Sequence, residues 1–347
     1  TLDDLQHDMV KRREPLRASW RGLDFILMPP PSSGGVAMAE ILEILEAWER
    51  IENRKVADLS HNTPAYAHLL TEAMKHAFAD RSRYLGDPDF AQVPMSMLLN
   101  PPRLTELAGR IDMDRTLEPE DYGRAEPLTE DGGTSHLSVI DDDGMAVACT
   151  ETINLEFGSR IIVEGCDFFL NNQVDDFTTR SGQANAFGLR QSDRNLPAPH
   201  KKPLSSMSPT IVRNAETGAV EVIAGASGGP RIITGTLQAI LNVLLFDMPA
   251  RDAVAAPRFH HQWMPDALRL EPYFSLGDES GGEMSLEELQ EMMRRVSRID
   301  AFRKSLEARG HRLGEVDDVG VVQLIRRNGN TYEGAADPRK GGAAVGN

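Results

Sequence analysis

Apolar spacing and helix-start signals predict three long helices. The first follows Ser32-Ser33-Gly34-Gly35 and covers residues 36–50, where the apolar positions recur at helical spacing: Ile41, Leu42, Ile44, Leu45 and Trp48. Thr63-Pro64 combines a capping hydroxyl with a proline at the first helical position, and predicts a second helix running toward Asp80. Residues 231–246 predict a third, buried helix.

Strand-like residues dominate the middle of the chain and return near its end. Residues 135–170 are predicted to be mainly strands, and shorter strands are predicted at 210–212 and 220–225. Residues 319–334 predict a hairpin that turns at Asn328-Gly329. The remaining predictions are short helices and linker over 99–130, a loop over 178–202, and surface helices over 283–296 and 300–309.

Composition narrows the class of protein. A net charge of −16 over 347 residues argues against a surface for nucleic acid or anionic membranes. The two cysteines, Cys149 and Cys166, lie in apolar runs where a buried thiol is the default, although they could also pair. His260 and His261 are adjacent and would point to opposite faces of a strand, so we predict no metal site and no cofactor. No apolar run approaches the roughly 20 residues of a membrane span, and we find no export signal in this chain.

The segment Asp131-Gly132-Gly133-Thr134-Ser135-His136-Leu137-Ser138-Val139 contains the candidate chemistry. Cleavage of the Gly133–Thr134 bond would make Thr134 an N-terminal residue, whose α-amino group could serve as the base for its own hydroxyl. By itself, a pair of glycines before a strand is more often an ordinary loop.

A predicted hairpin brings further polar groups to Thr134. The turn signal Asp141-Asp142-Asp143-Gly144 separates two strand-like runs, so an antiparallel hairpin places Thr134 near Glu151 and Thr152. Thr152 and Asn154 would then lie beside the candidate nucleophile. The alternative is that they are ordinary strand and turn residues.

Several motifs, in order, resemble the γ-glutamyltranspeptidases of the N-terminal-nucleophile hydrolase superfamily. They are MPPPSSGG, the stretch from Ala79 to Pro88, DGGTSHLSV, TETINLEFGS, FFLNNQVDDFT, PLSSMSPTIV, GASGGPRIIT and APRFHHQW. The resemblance implies an α+β fold, the four-layer αββα sandwich. It also implies that residues 1–133 are the C-terminal part of a large-subunit region and residues 134–347 the small, catalytic one. Together they would form one domain, with an N-terminal portion and its export signal outside this chain.

The resemblance also assigns roles to individual residues. Thr134 matches the nucleophile and Thr152 a hydroxyl that bonds it, while Gly228 and Gly229 match the oxyanion hole. The positions that match substrate-binding residues are Asn154, Gln173 and Asp176 for the α-amino group, and Ser205 and Ser206 for the α-carboxylate. Residues 178–202 match a lid with Phe187 at its gate. The arginine with which the family clamps the α-carboxylate has no matching motif, and Arg160, Arg180 and Arg231 are the first candidates to replace it.

The implied activity is γ-glutamyl transfer or hydrolysis through a γ-glutamyl-threonine ester after self-cleavage. Substrates would be glutathione and similar γ-glutamyl compounds, with an amino acid, a peptide or water as acceptor, and the two subunits would come from one precursor. A periplasmic or extracellular location is implied, with a cytoplasmic one as the alternative. Two other functions stay open: a cephalosporin-type acylase on the same scaffold, and an inactive fragment or pseudoenzyme.

Overall fold

The computed structural model describes residue 6 and residues 9–122, 133–178, 192–274 and 286–346. Its α-helices are α1 Gly34–Glu52, α2 Pro64–Tyr84, α3 Met95–Leu98, α4 Pro101–Gly109, α5 Pro119–Tyr122, α6 Arg231–Phe246, α7 Ala250–Ala255 and α8 Leu286–Ala308. Short 3-10 helices cover Val56–Leu59, Gln173–Asp176, Asp193–Asn195 and Pro272–Phe274. Among the helices within these ranges, none is long and apolar enough to cross a bilayer.

The strands form three sheets. They are β1 Leu16–Trp20, β2 Leu23–Leu27, β3 Thr134–Ile140, β4 Ala146–Thr152, β5 Thr210–Asn214, β6 Val220–Ser227, β7 Phe259–His260, β8 Leu268–Leu270, β9 Leu313–Glu315, β10 Val321–Asn328 and β11 Thr331–Ala336. The main sheet has the order β1-β2-β5-β6-β10-β11, with every neighbouring pair antiparallel. Because β2 pairs with β5, segments before and after Thr134 share this sheet.

Helices cover one face of the main sheet. Alternate residues of β6, namely Val222, Ala224 and Ala226, are buried in a core that also contains Ile233 and Leu237 of α6. Helices α1 and α2 extend the same core. Burial of each leucine or isoleucine side chain in this core adds about 1.5–3 kcal/mol to the free energy of unfolding. The start of α2 is fixed as the sequence predicts, because the Thr63 hydroxyl accepts a hydrogen bond from the amide of Tyr66.

The hairpin β3–β4 packs on the opposite face, mainly against β6. The closest approach joins the His136 ring to Gly225, where any Cβ would lie far inside van der Waals distance of the imidazole. The outer face of the hairpin carries apolar side chains, and Leu137 and Val147 are 59% and 48% exposed. The described residues therefore supply a helical layer, a full sheet and part of a second sheet, and the α+β prediction is confirmed.

Several predicted elements are confirmed and others are corrected. The three long helices, the hairpin around residues 141–144 and the C-terminal hairpin are present. The predicted strands beyond Thr152 are wrong, because residues 153–170 form turns with a single isolated bridge between Ile162 and Phe169. The two predicted surface helices are one continuous helix, α8, since no glycine or proline interrupts it.

The cysteines also differ from the expectation. Neither Cys149 nor Cys166 is in a disulfide; Cys149 is partly buried and Cys166 is exposed, so the expected buried thiols are not found. Cys166 lies in the turn-rich stretch that replaces the predicted strands, which explains its exposure.

Replacement of Gly225 by alanine tests the contact between the two sheets. Gly225 does not have a positive φ, so Gly225→Ala adds only a methyl group, which must displace the His136 ring. We expect a loss of about 1–3 kcal/mol in the free energy of unfolding, measured with urea. Gly314→Ala is the matched control because its Cβ would meet ordinary contacts of 3.7 and 3.9 Å. Equal effects at the two positions would contradict the close packing, and His136→Ala should reduce the cost of Gly225→Ala.

Candidate active site

The first and last residues of the hairpin face each other. Thr134 lies opposite Thr152 in the β3–β4 register, and the two hydroxyl oxygens are 2.9 Å apart. Thr134 is only 5% exposed. The Thr152 hydroxyl also accepts a hydrogen bond from the amide of Asn154 at 2.9 Å and lies 3.4 Å from the carbonyl oxygen of Gly133. A single hydroxyl therefore contacts both residues of the 133–134 peptide bond.

The Gly133 carbonyl is held by two donors. It accepts a 3.2 Å hydrogen bond from the amide of Ile153, in addition to the contact with the Thr152 hydroxyl. A Cβ at this position would collide with the carbonyl oxygen of Leu155, so the tight approach requires glycine. Donors at this oxygen would stabilise the negative charge that develops when a nucleophile attacks the carbonyl, and Thr134, the next residue, carries a hydroxyl group.

Asn154 connects the hairpin to a second polar segment. It is buried, with a left-handed backbone (φ 74°), and its Nδ2 donates to the carbonyl oxygen of Asn172 at 3.2 Å. In return, the Asn172 side chain accepts from the amide of Leu155 at 3.0 Å. The next residues form the 3-10 helix Gln173–Asp176. These bonds fix Gln173 and Asp176 relative to the end of β4.

Ser205 and Ser206 are joined to the loop that precedes α1. The backbone of Ser205 pairs with that loop through the amide of Ser33 and the carbonyl oxygen of Pro31, at 2.8 and 2.9 Å. Gly34 begins α1 directly after this pairing. The serine pair is therefore positioned by a segment more than 170 residues earlier in the chain, a long-range contact that local sequence patterns do not reveal.

Arg81 of α2 lies beside these serines and was not among the predicted site residues. Its Nε donates to the Ser33 hydroxyl at 2.8 Å and its Nη2 to the Ser206 hydroxyl at 3.2 Å. Arg160 is exposed, Arg231 begins α6, and Arg180 lies outside the described residues. The guanidinium next to Ser206 is thus that of Arg81, and the available sequence signal was the family-like stretch from Ala79 to Pro88.

The charges of Asp176 and Arg81 are coupled. Burial raises the pKa of Asp176 to about 7, the Arg81 guanidinium opposes that rise, and Asp175 adds to it. Burial also lowers the pKa of Arg81 to about 10, while Asp176 acts in the other direction. Asp176 therefore titrates near neutral pH, with a cation on one side.

Gly228 and Gly229 lie between the end of β6 and the start of α6, and both have positive φ, at 124° and 54°. Within the described ranges, neither amide N–H donates a hydrogen bond. Free N–H groups at the start of a 16-residue helix favour a negatively charged ligand.

The structure brings most of the predicted site residues together. Hydrogen bonds connect Thr134, Thr152 and Asn154 directly, and Asn172 extends this set to the 3-10 helix of Gln173 and Asp176. Arg81 donates to the Ser206 hydroxyl, and its charge also lowers the pKa of Asp176. Gly228 and Gly229 follow β6, the strand on which the hairpin packs, and have no hydrogen bond to Thr134 within the described ranges. Phe187 and most of the predicted lid lie outside the described residues.

His68, Glu72 and His311 form a buried cluster that was not predicted. The Nδ1 of His68 and the Nε2 of His311 are 2.7 Å apart, and the Nε2 of His68 donates to the carbonyl oxygen of Asp112 at 2.8 Å. The ligand types suit a metal, but the ammonium of Lys75 lies 3.2 Å from the Glu72 carboxylate and already neutralises it. Burial also lowers the pKa of His68 and His311, so the arrangement is that of a neutral hydrogen-bonded histidine pair.

Comparisons with known proteins show the family to which the chain belongs. The structure resembles that of a cephalosporin acylase from Bacillus halodurans, with a TM-score of 0.65 and 23% identity over 94% of this chain and 51% of that chain. That likeness shows that the two proteins share a fold. The family model for γ-glutamyltranspeptidase matches residues 1–347, and the chain belongs to this family.

Two curated relatives support the same assignment. A glutathione hydrolase proenzyme from Pseudomonas aeruginosa is 38% identical over 99% of this chain and 57% of its own length. The glutathione hydrolase proenzyme of Escherichia coli K12 is 37% identical over 98% of this chain and 53% of its own length. The chain thus spans about half the length of the curated relatives it matches.

Removal of the Thr152 hydroxyl tests its role as a shared hydrogen-bond partner. Thr152→Val keeps the shape of the side chain but leaves the amide of Asn154 without its acceptor. We expect a loss of about 1–3 kcal/mol in the free energy of unfolding. Thr150→Val is the matched control, since that hydroxyl lies on the same face of β4 and bonds only the His136 ring among the described residues. A Thr152→Val cost no larger than the control would contradict the shared role.

Proposed function

We propose that this protein transfers or hydrolyses γ-glutamyl groups, with Thr134 as an N-terminal nucleophile. The observation that carries the proposal is the 2.9 Å hydrogen bond between the Thr134 and Thr152 hydroxyls, formed directly after the doubly held carbonyl of Gly133. The names of the two relatives, glutathione hydrolase proenzymes, support both the substrate class and a processing step.

Processing begins with the intact 133–134 bond. The Thr134 hydroxyl attacks the carbonyl carbon of Gly133, the C–N bond breaks, and the acyl group moves to the Thr134 oxygen as an ester. Water then hydrolyses the ester, which leaves a carboxylate on Gly133 and a free amino group on Thr134. Cleavage gives two subunits, residues 1–133 and residues 134–347, which stay together as one αββα unit. The pairing of β2 with β5 in the main sheet supports their continued association.

The substrate is recognised at both of its charged groups. Asp176 pairs with the α-ammonium, and the carbonyl oxygens of the Asn154 and Gln173 side chains accept from it. The hydroxyls of Ser205 and Ser206 donate to the α-carboxylate. Because the net charge of −16 repels anions at long range, this end depends on local donors.

The reaction proceeds through an ester on Thr134. Its hydroxyl, deprotonated by its own α-amino group, attacks the γ-carbonyl carbon, and the negative charge on the oxygen is stabilised by the amides of Gly228 and Gly229. The amine leaves with the proton, and a γ-glutamyl-threonine ester remains. Water or the amino group of an acceptor then attacks the ester and restores the threonine.

Self-cleavage should depend on the hydroxyl at position 134. In the full-length protein we expect Thr134→Ala to remain uncleaved, because the other hydroxyl beside the Gly133 carbonyl, that of Thr152, donates to the carbonyl oxygen rather than attacking its carbon. Thr134→Ser is the control, since it keeps the hydroxyl and should be cleaved. Intact mass and N-terminal sequencing identify the products. A new N-terminus other than Thr134, or cleavage of the alanine variant at the same bond, would disprove the mechanism.

Asp176 should control substrate binding and its dependence on pH. With a pKa of about 7, Asp176 is protonated in acid, so kcat/KM for γ-glutamyl p-nitroanilide should fall as pH drops through 7. Asp176→Asn should remove the contribution of Asp176 to this limb, leave that of the Thr134 α-amino group, and lower transition-state stabilisation by about 2–5 kcal/mol. Asp193→Asn, at an exposed carboxylate, is the control. A decrease under about threefold in Asp176→Asn would exclude this residue from the site.

A further inference from the structure

One nitrogen of the buried Arg81 guanidinium has no hydrogen-bond partner among the described residues, which indicates a functional role. Its side chain is 1% exposed, and its Nε and Nη2 have hydroxyl partners. The Nη1 is buried and has no hydrogen-bond partner among the residues that the structure describes. A buried donor on a charged group that stays unpaired is costly, and native structures contain few of them.

Ser33 holds the guanidinium rigidly. The Ser33 hydroxyl accepts from the Nε of Arg81 at 2.8 Å and donates to the carbonyl oxygen of Ser205 at 2.7 Å. The hydroxyl is therefore used as donor and acceptor at once, and it joins α2 to the backbone of the serine pair. Because the guanidinium is planar, fixing the Nε also fixes the directions of both Nη groups.

This arrangement determines the role of the Ser206 hydroxyl. Arginine has donors and no acceptor, so Ser206 must accept in the 3.2 Å bond from the Nη2. Its own proton is then left to donate elsewhere, and the adjacent positive charge polarises it toward an anion.

The same guanidinium acts on Asp176. The charged groups that face this carboxylate in the described structure are Arg81, which favours its ionised form, and Asp175, which opposes it. The Arg81 guanidinium thus bonds the Ser206 hydroxyl of the proposed carboxylate site and lowers the pKa of Asp176 in the proposed ammonium site.

We propose that Arg81 is a positioning residue that sets specificity for the head group of the substrate: it orients the Ser206 hydroxyl toward the substrate α-carboxylate. This inference rests on the proposed γ-glutamyl activity. It assigns to an arginine of α2 part of the binding of the α-carboxylate, for which the sequence analysis found no matching arginine.

Three anilide substrates separate the two ends of the site. γ-Glutamyl p-nitroanilide has both charged groups, the glutaryl anilide has only the carboxylate, and the 4-aminobutyryl anilide has only the ammonium. The full-length protein is assayed as wild type, Arg81→Met, Arg81→Lys, Ser206→Ala and Arg81→Met with Ser206→Ala. Arg83→Met is the matched control, because Arg83 lies on the same helix and is exposed. Assays near pH 8.5 keep Asp176 mostly ionised in every variant.

The expected result depends on the substrate. Arg81→Met should lower kcat/KM about tenfold or more for the γ-glutamyl and glutaryl anilides, mainly through KM, and less than about threefold for the 4-aminobutyryl anilide. Adding Ser206→Ala to Arg81→Met should cause little further loss on the carboxylate substrates, because Arg81 acts through that hydroxyl. Arg83→Met should match the wild type on all three.

The dependence of kcat/KM on pH separates a positioning role of Arg81 from a structural one, because a purely structural role would not change the acid limb. Without Arg81 the pKa of Asp176 rises, so the acid limb for γ-glutamyl p-nitroanilide should move to higher pH by about one unit. Arg81→Lys should restore this limb through its charge. It should not restore turnover of the glutaryl anilide, since an ammonium lacks the planar fork.

Equal losses on all three substrates, or an unchanged acid limb in Arg81→Met, would overturn the inference and make Arg81 a structural residue. If Arg81→Met does not mature, which the yield of the Thr134 N-terminus reports, the substrate comparison is made with Arg81→Lys, and equal losses of that variant on all three anilides would then overturn the inference. A failure of the proposed γ-glutamyl activity can be told apart from a failure of the Arg81 inference. In the first case the wild-type protein itself would show no preference for the γ-glutamyl anilide over the other two.

Discussion

The close packing of the β3–β4 hairpin on β6 is the constraint on which the rest of the site depends. A glycine at position 225 lets the His136 ring approach the main sheet, and the ring bonds the Thr150 and Ser138 hydroxyls at 2.8 and 3.0 Å. Burial lowers the pKa of His136 to about 4, so this contact adds no charge beneath the site. Because a slip of one residue would turn every hairpin side chain to the other face, the contact also maintains the register that sets Thr134 opposite Thr152.

A second buried network supports the loop of Gly228. The guanidinium of Arg258 donates to the carbonyl oxygens of Val319 and Gly320 and to the Asp337 carboxylate, at 3.0, 2.7 and 2.6 Å. Gly320 in turn lies against Gly228, where an added Cβ would come within 3.0 Å of the Gly320 Cα. Breaking such a buried charge pair costs about 3–5 kcal/mol, so this network stabilises the segment against which Gly228 packs.

The two ends of the proposed pocket bind groups of opposite charge, and they do so in a protein with a net negative charge. The ammonium end needs a carboxylate that stays ionised despite burial, and the carboxylate end needs donors that overcome a net charge of −16. Arg81 contributes to both because its guanidinium donates to the Ser206 hydroxyl and its charge favours the ionised form of Asp176. In the described structure this cation comes from a helix whose remaining buried residues are largely core, which shows how a structural element also shapes the site.

Local sequence by itself determined the long helices, both hairpins and the approach of Thr134 to Glu151 and Thr152, because spacing, capping and turn residues act over short distances. The exact pairing of Thr134 with Thr152 depends on the tertiary contact between the hairpin and β6. The motif order was enough to identify the family. Only the tertiary structure decided that residues 153–170 are turns, that Arg81 meets Ser206, and that His68 meets His311 across 243 positions. Such contacts arise from how distant elements pack, and no local pattern encodes which buried side chains will then face each other.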